Sequence, residues 1–229
     1  MLRLPRVGLI VPSSNTTLEV DFYRSFNREA TIHAARMYME VVTRANERKM
    51  IREDLPRAVD LLRSLCPDVI VFGCTSGGAV GGLEHDRKIA SWVESRSKVK
   101  CITVLSSVIQ ALKKEGCRQI GVLTPYIKEV NEDIRKSLTQ ARFRVSFIHG
   151  MGLVHNIQVG RVTPREIFRF AQEVRPLSHH AQAFFFSCTN WRALEALPQL
   201  RRVFKIPLVT SSQAVIEAVK HFLKANGND

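Results

Sequence analysis

The second half of this 229-residue chain repeats the first, and that repeat limits the fold more than any other feature. Arg6-Val7-Gly8-Leu9-Ile10-Val11-Pro12 is answered by Gln119-Ile120-Gly121-Val122-Leu123-Thr124-Pro125. Val71-Phe72-Gly73-Cys74-Thr75 is answered by Phe185-Phe186-Ser187-Cys188-Thr189, and Leu105-Ser106-Ser107 more loosely by Val209-Thr210-Ser211-Ser212. The interval is kept as well: 66 residues lead from Gly8 to Cys74 and 67 from Gly121 to Cys188. Unrelated segments rarely share a strand end, a Cys-Thr loop and a spacing, so the chain reads as two equivalent lobes.

Within each lobe, short apolar runs ending in small-residue loops alternate with longer segments of helical period, the mark of βα units on a parallel sheet. Strands are predicted at Val7 to Val11, Thr31 to Tyr38, Val69 to Phe72, Lys100 to Leu105, Gln119 to Leu123, Arg144 to His149, Ala183 to Phe186 and Pro207 to Val209. Helices are predicted at Leu18 to Asn27, Asp54 to Cys66, Gly81 to Glu94, Ser106 to Glu115, Val130 to Ala141, Pro164 to Val174, Asn190 to Leu197 and Ser212 to Ala225. Thr163-Pro164 has the form of a helix entry, with Thr as cap and Pro in the first turn. Eight strands are wide for one lobe, which again favours two.

Composition excludes some classes and leaves others open. Apolar residues at 45% and charged residues at 24% suit a soluble globular protein. Residues 1–6 run into a strand-like segment without a signal-peptide core, and no stretch is apolar enough for a membrane span, so the cytoplasm is the expected compartment. Five cysteines without a Cys-x-x-Cys pair or histidines at ligand spacing fit neither a disulfide scaffold nor a zinc site. Cys66, Cys101 and Cys117 read as small buried hydrophobes. The net charge of +13 suits a nucleic-acid binder or a cleft for small anions. The basic residues are spread along helical stretches such as Arg44 to Arg57 without interleaved aromatics, which favours solvated helix faces.

Cys74 and Cys188 stand apart from the other three, because each falls at the carboxyl end of a strand, where parallel sheets bind ligands. An approximate two-fold axis between the lobes would place one thiol on each side of a shared cleft. Thr75-Ser76-Gly77-Gly78 and Thr189-Asn190 follow as helix openings, and a thiol at a helix N-terminus is expected to have a lowered pKa beside N–H groups that hold carboxylates. Asn15 and Tyr126, in the loops after the first strand of each lobe, could hydrogen-bond an oxyanion; alternatively Ser13 to Thr17 cap a helix and Tyr126 is a packed aromatic. Asn156 lies in an expected loop, as a turn former or a ligand.

Val11-Pro12-Ser13-Ser14-Asn15-Thr16-Thr17, Gly73-Cys74-Thr75-Ser76-Gly77, Thr124-Pro125-Tyr126 and Ser187-Cys188-Thr189-Asn190 together resemble the aspartate/glutamate racemase superfamily, and within it the maleate cis-trans isomerase and arylmalonate decarboxylase branch. The order of these motifs covers nearly the whole chain. The resemblance implies two Rossmann-like lobes, each a four-stranded parallel sheet flanked by helices, related by a pseudo-two-fold axis, with the site in the interlobe cleft. Lobe 1 is expected at 1–107 plus 212–229 with Cys74, and lobe 2 at 108–211 with Cys188. The same resemblance implies no metal or organic cofactor and a homodimer. It makes Cys74 the nucleophile, Cys188 its proton-handling partner, and Asn15, Tyr126 and Asn156 the carboxylate-binding residues. Thr75, Ser76 and Thr189, in the loops after the cysteines, are further substrate-binding candidates from the N–H groups expected there.

Departures from neighbouring patterns sharpen the expectation. Decarboxylases of the branch keep the second cysteine and carry a small residue in place of the first, so Cys74 argues against decarboxylation. Glutamate-type racemases show an acidic residue in the first loop, Asn after the first cysteine and His two places after the second; here those places hold Pro12-Ser13, Thr75 and Asn190. The function expected is isomerisation of a small dicarboxylate of the maleate-to-fumarate type, by thiolate addition, rotation and elimination. A two-cysteine racemase is the alternative enzyme, and a basic nucleic-acid or anion-binding protein the non-enzymatic one.

Overall fold

The computed structural model describes residues 4–226, so the outermost ends of the expected first lobe, residues 1–3 and 227–229, lie outside the described residues. Eight strands form two parallel sheets: β1 (Arg6–Pro12), β2 (Thr31–Met37), β3 (Val69–Phe72) and β4 (Cys101–Thr103) in the order β2-β1-β3-β4, then β5 (Gln119–Thr124), β6 (Arg144–Gly150), β7 (Ala183–Phe186) and β8 (Leu208–Thr210) in the order β6-β5-β7-β8. The two orders are identical once the numbering is shifted by four, which is the sequence repeat expressed as topology. Helices cover the sheets: α1 (Leu18–Phe26), α2 (Arg44–Glu53), α3 (Leu55–Arg63), α4 (Thr75–Ala79), α5 (Leu83–Ser97), α6 (Val104–Lys114), α7 (Lys128–Gln140), α8 (Asn156–Arg161), α9 (Pro164–Glu173), α10 (Ala193–Val203) and α11 (Ser211–Asn226), with a 3-10 turn at Arg175–His180 that carries His179 and His180.

Alternation along the strands divides the core. Val7, Leu9 and Val11 of β1 and Val69 and Val71 of β3 face a large apolar cluster that also takes in Ile120, Val122 and Phe184 of the second sheet. Ile10, Ile70 and Phe72 point the other way, into a smaller cluster under α2, α3 and α5 that holds Met50, Leu55, Val59 and Ile89. Strands buried on both faces explain the unbroken apolar runs Val-Ile-Val-Phe and Ala-Phe-Phe-Phe. The lobes therefore share one continuous core, and Cys74 belongs to the smaller cluster beneath it.

Several boundaries differ from the sequence expectation, each for a local reason. The fourth strand stops at Thr103, because the Thr103 hydroxyl caps α6 by accepting the Ser106 N–H at 3.2 Å, so Val104 and Leu105 open a helix instead of ending a strand. The segment from Arg44 splits into α2 and α3. The helix expected from Asn190 begins at Ala193, since Asn190 is tied across the lobes, and it runs on through Pro198 to Val203 with Leu200 buried. Asn156 is the first residue of α8 and not part of a loop. Cys66 is exposed, contrary to its reading as a buried hydrophobe: it follows α3 in the left-handed region at φ 47°, which turns its side chain outward. Cys101 and Cys117 are buried as expected.

Contacts across the lobes fix the site. Val41 and His155 form an antiparallel bridge, flanked by Val42 N–H donating to Val154 O and Asn156 N–H to Glu40 O, both at 2.8 Å. The Arg44 guanidinium grips both carboxylate oxygens of Asp133 on α7 at 2.8 and 3.1 Å, pinning the start of α2 to the second lobe. No helix among the described residues is long and apolar enough to cross a membrane.

Candidate active site

Cys74 and Cys188 leave β3 and β7, central strands of their sheets, and line one cavity between the lobes. Asn15, Thr75, Ser76, Tyr126, Asn156 and Thr189 line it too, so all eight residues singled out from the sequence meet there, joined by Glu47 and Asn190. The space enclosed is about 10 Å³, enough for a water molecule and too small for a dicarboxylate. The expected cleft is thus a closed chamber in this conformation.

Each lobe supplies a different half. Cys74 caps α4: its sulfur accepts the Gly77 N–H at 3.3 Å and lies 3.6 Å from Ser76 Oγ. On its other side is a carboxylate, with Glu47 Oε2 at 3.6 Å, while Ser76 Oγ donates a short hydrogen bond to Glu47 Oε1. Glu47 reaches this point because α2, capped by the Thr43 side chain, buries only Glu47 and Met50. Gly77 leaves room for the meeting: a Cβ there would lie 3.1 Å from both Cys74 Sγ and Glu47 Oε2.

Cys188 has no helix at its back. Its sulfur accepts the Asn190 N–H at 3.3 Å and is faced by the Tyr126 hydroxyl, while its own N–H donates to Ser211 Oγ at 3.1 Å. The helix opening expected after Cys188 is corrected accordingly, since α10 starts at Ala193. Asn190 instead joins the lobes: its Oδ1 accepts the Thr16 N–H at 2.8 Å and its Nδ2 donates to Asn156 O at 2.7 Å. Asn15 both caps and bridges, its Oδ1 accepting the N–H groups of Thr17 and Leu18 at 3.0 Å and its Nδ2 donating to Thr189 Oγ1 at 3.1 Å. Asn156 Nδ2 donates to Ser14 Oγ at 2.9 Å.

Burial dominates the electrostatics, and it overturns the expectation of lowered thiol pKa values. Burial, followed by the neighbouring Glu47 charge, pushes the Cys74 thiol well above its ordinary value against the hydrogen bonds from Ser76 and Gly77. Burial pushes Cys188 up to about 11, opposed by Tyr126 and by the N–H groups of Asn190 and Trp191. Tyr126 is likewise raised by burial and by the two sulfurs, so its hydroxyl keeps its proton. Glu47 rises to about 7, from burial first, moderated by Ser76 and Cys74 and reinforced by Asp133. Like charges this close in a buried chamber do not form together, so the site holds at most one negative charge among these groups near neutrality, and Glu47 is the group that carries it. Among the described residues no three His, Cys, Asp or Glu side chains gather as metal ligands.

Two parallel sheets meeting over a pair of strand-end cysteines define a class of two-lobed proteins, and the sequence comparison agrees. The family model described as arylmalonate decarboxylase matches residues 7–227, and the chain belongs to that family. Among individual relatives, the maleate isomerase of Geobacillus stearothermophilus is 23% identical, with 92% of this chain and 88% of that one covered. The maleate isomerase of Pseudomonas putida is 25% identical, covering 96% and 92%. Of solved structures, a mutant Nocardia farcinica maleate cis-trans isomerase with a covalently bound succinylcysteine intermediate superposes with a TM-score of 0.91 at 22% identity, over 97% of this chain and 94% of that one. A mutant arylmalonate decarboxylase in liganded form gives 0.89 at 20% identity, over 98% and 94%. These structures establish the two-sheet fold.

Glu47 and the bridging role of Asn190 were not anticipated. Glu47 sits in a stretch rich in Arg and Lys that reads as a solvated face, and its one sequence cue is the three-residue step to buried Met50.

Proposed function

We propose that this protein is a cofactor-independent cis-trans isomerase of a small dicarboxylate of the maleate type, with Cys74 as nucleophile and Cys188 as proton carrier. The observation that carries the reading is the convergence of two thiols from equivalent strands on one buried chamber lined by Asn15, Tyr126 and Asn156. The succinylcysteine described for the Nocardia relative supports it, being the product of sulfur and hydrogen addition across such an alkene.

In the proposed sequence the Cys74 sulfur adds to one alkene carbon, forming the S–C bond while the π pair moves toward the other carbon and its carboxylate. Cys188 delivers its proton to that second carbon, and the resulting single bond rotates, driven by repulsion between the carboxylates. Cys188 then takes a proton back, the C=C bond re-forms, and the S–C bond breaks to release the trans isomer. Thr75 and Ser76 offer first-turn N–H groups of α4 to one carboxylate, which the helix itself leaves unbonded. Tyr126, kept protonated, Asn15, Asn156 and Thr189 serve as polar contacts for the charge that develops.

The test is conversion of maleate to fumarate followed by proton NMR. Wild-type protein is expected to convert it, and Cys74→Ser to lose at least about a thousandfold of the rate, in line with removal of a nucleophile. Unchanged maleate with the wild type, or full activity in Cys74→Ser, overturns the proposal. The racemase alternative is checked alongside by offering L-aspartate and measuring the D-isomer. On the same reading the protein is cytoplasmic and a homodimer, which fractionation and light scattering check.

A further inference from the structure

The chamber contains one group that the proposed reaction leaves unused. Glu47 is 2% exposed, comes from α2, and directs one oxygen to Cys74 Sγ and the other to Ser76 Oγ. A carboxylate placed so is costly, because burial disfavours its charge and a dicarboxylate brought beside it would be repelled. That cost is avoided if the carboxylate receives a proton when the substrate is attacked. Two protons are directed at it, from the Ser76 hydroxyl and the Cys74 thiol; only the thiol must lose its proton for the sulfur to attack, and the N–H of a five-residue helix does not liberate it against such burial.

We propose that Glu47 is a catalytic residue of this site, the base that accepts the Cys74 proton as the sulfur attacks and hands it back as the sulfur leaves. This rests on the reading of Cys74 as nucleophile. The step balances within the chamber: the S–H bond breaks as the S–C bond forms, the proton passes to Glu47 Oε2, and the carboxylic acid so formed is neutral beside the bound anion. On elimination the sulfur retakes the proton and Glu47 returns to the carboxylate.

The groups facing Glu47 are consistent with this role. From the cap and first turn of α4 come Cys74 and Ser76, and from α7 comes Asp133, whose charge is met by Arg44. Across the chamber are Cys188 and Tyr126, both protonated near neutrality. No cation among the described residues bonds to the Glu47 carboxylate, which titrates at about 7, close to where a base is most effective.

The proposal is tested without substrate by the absolute rate at which iodoacetamide alkylates Cys74, read by peptide mass spectrometry from pH 5.5 to 9.5, with exposed Cys66 in the same molecules as the profile of an unassisted thiol. In the wild type, Cys74 reactivity is expected to rise with a midpoint near 7. In Glu47→Gln it should be at least tenfold lower at pH 7.5 and climb only as the thiol itself ionises, with Glu47→Asp in between. A wild-type profile that rises only above pH 9, or identical profiles in wild type and Glu47→Gln, overturns it; the first outcome needs no variant to fold. With maleate, Glu47→Gln should lower kcat by about a hundredfold or more without raising KM, the range for loss of a general base. A raised KM at unchanged kcat overturns the role. If the wild type leaves maleate untouched while the alkylation profile shifts as expected, the isomerase reading fails and Glu47 as the base of Cys74 stands.

Discussion

A single methyl group at position 77 would part Cys74 from Glu47. Gly77→Ala places a Cβ 3.1 Å from each, so the two groups must separate by a few tenths of an ångström. Because alanine is the better helix former by about 1 kcal/mol, the variant is expected to unfold at nearly the wild-type denaturant concentration while Cys74 loses about tenfold in reactivity. Glu47 also leaves a signature in stability. Its carboxyl binds a proton more tightly folded than unfolded, so the fold is stabilised at low pH and loses that contribution as pH rises from 4.5 through about 7. Between pH 4.5 and 8 the wild type should lose up to ~3 kcal/mol relative to Glu47→Gln, measured by urea unfolding at each pH. Asp21, raised to about 6 mainly by burial, tilts both proteins the same way and cancels in the difference. The two cysteines were legible in the sequence because a repeat marks them twice. Glu47 was not, since one buried acid in a basic helix leaves no trace beyond its three-residue step to Met50.

The elements were legible where both faces of a strand are buried. β3 and β7 match their apolar runs residue for residue, because a parallel sheet covered on both sides needs unbroken hydrophobicity. What failed was the transition from strand to helix. Thr103 and Asn190 are both held by atoms that sequence distance hides: the Thr103 hydroxyl, besides capping α6, donates to Asp86, and Asn190 reaches Thr16 and Asn156 in remote segments. The α9 entry was readable because its cap is local, a reciprocal pair in which Thr163 Oγ1 accepts the Glu166 N–H and Glu166 accepts the Thr163 N–H. Thr163→Ala should cost about 1 kcal/mol in chemical unfolding and leave catalysis unchanged. A loss of activity there would mean that α9 communicates with the chamber.

At the scale of the molecule, the chamber must open before it can work. The proposed division, residues 1–107 with 212–229 against 108–211, runs through α6 (Val104–Lys114) and the start of α11 (Ser211–Asn226), and the Val41–His155 bridge joins the two parts beside Val42 and Asn156 of the chamber wall. Hydrogen exchange should find the Val42 and Asn156 amides faster than those of β1 and β5, and an unreactive saturated diacid should slow them. Equal protection throughout would rule out opening at this seam. The net charge of +13 adds an approach field, so kcat/KM for a dianion should fall as salt rises while kcat holds.

The pairing of unlike residues on like scaffolds has one more consequence. The helix after the second strand of each lobe supplies Glu47 on one side and Asn156 on the other. A diacid whose two ends are interchangeable in water would meet a proton acceptor at one end and an amide at the other. Mirror-related carbons would become distinguishable on binding, and maleate carrying carbon-13 at a single alkene position would partition into two adducts fixed by which way round it entered.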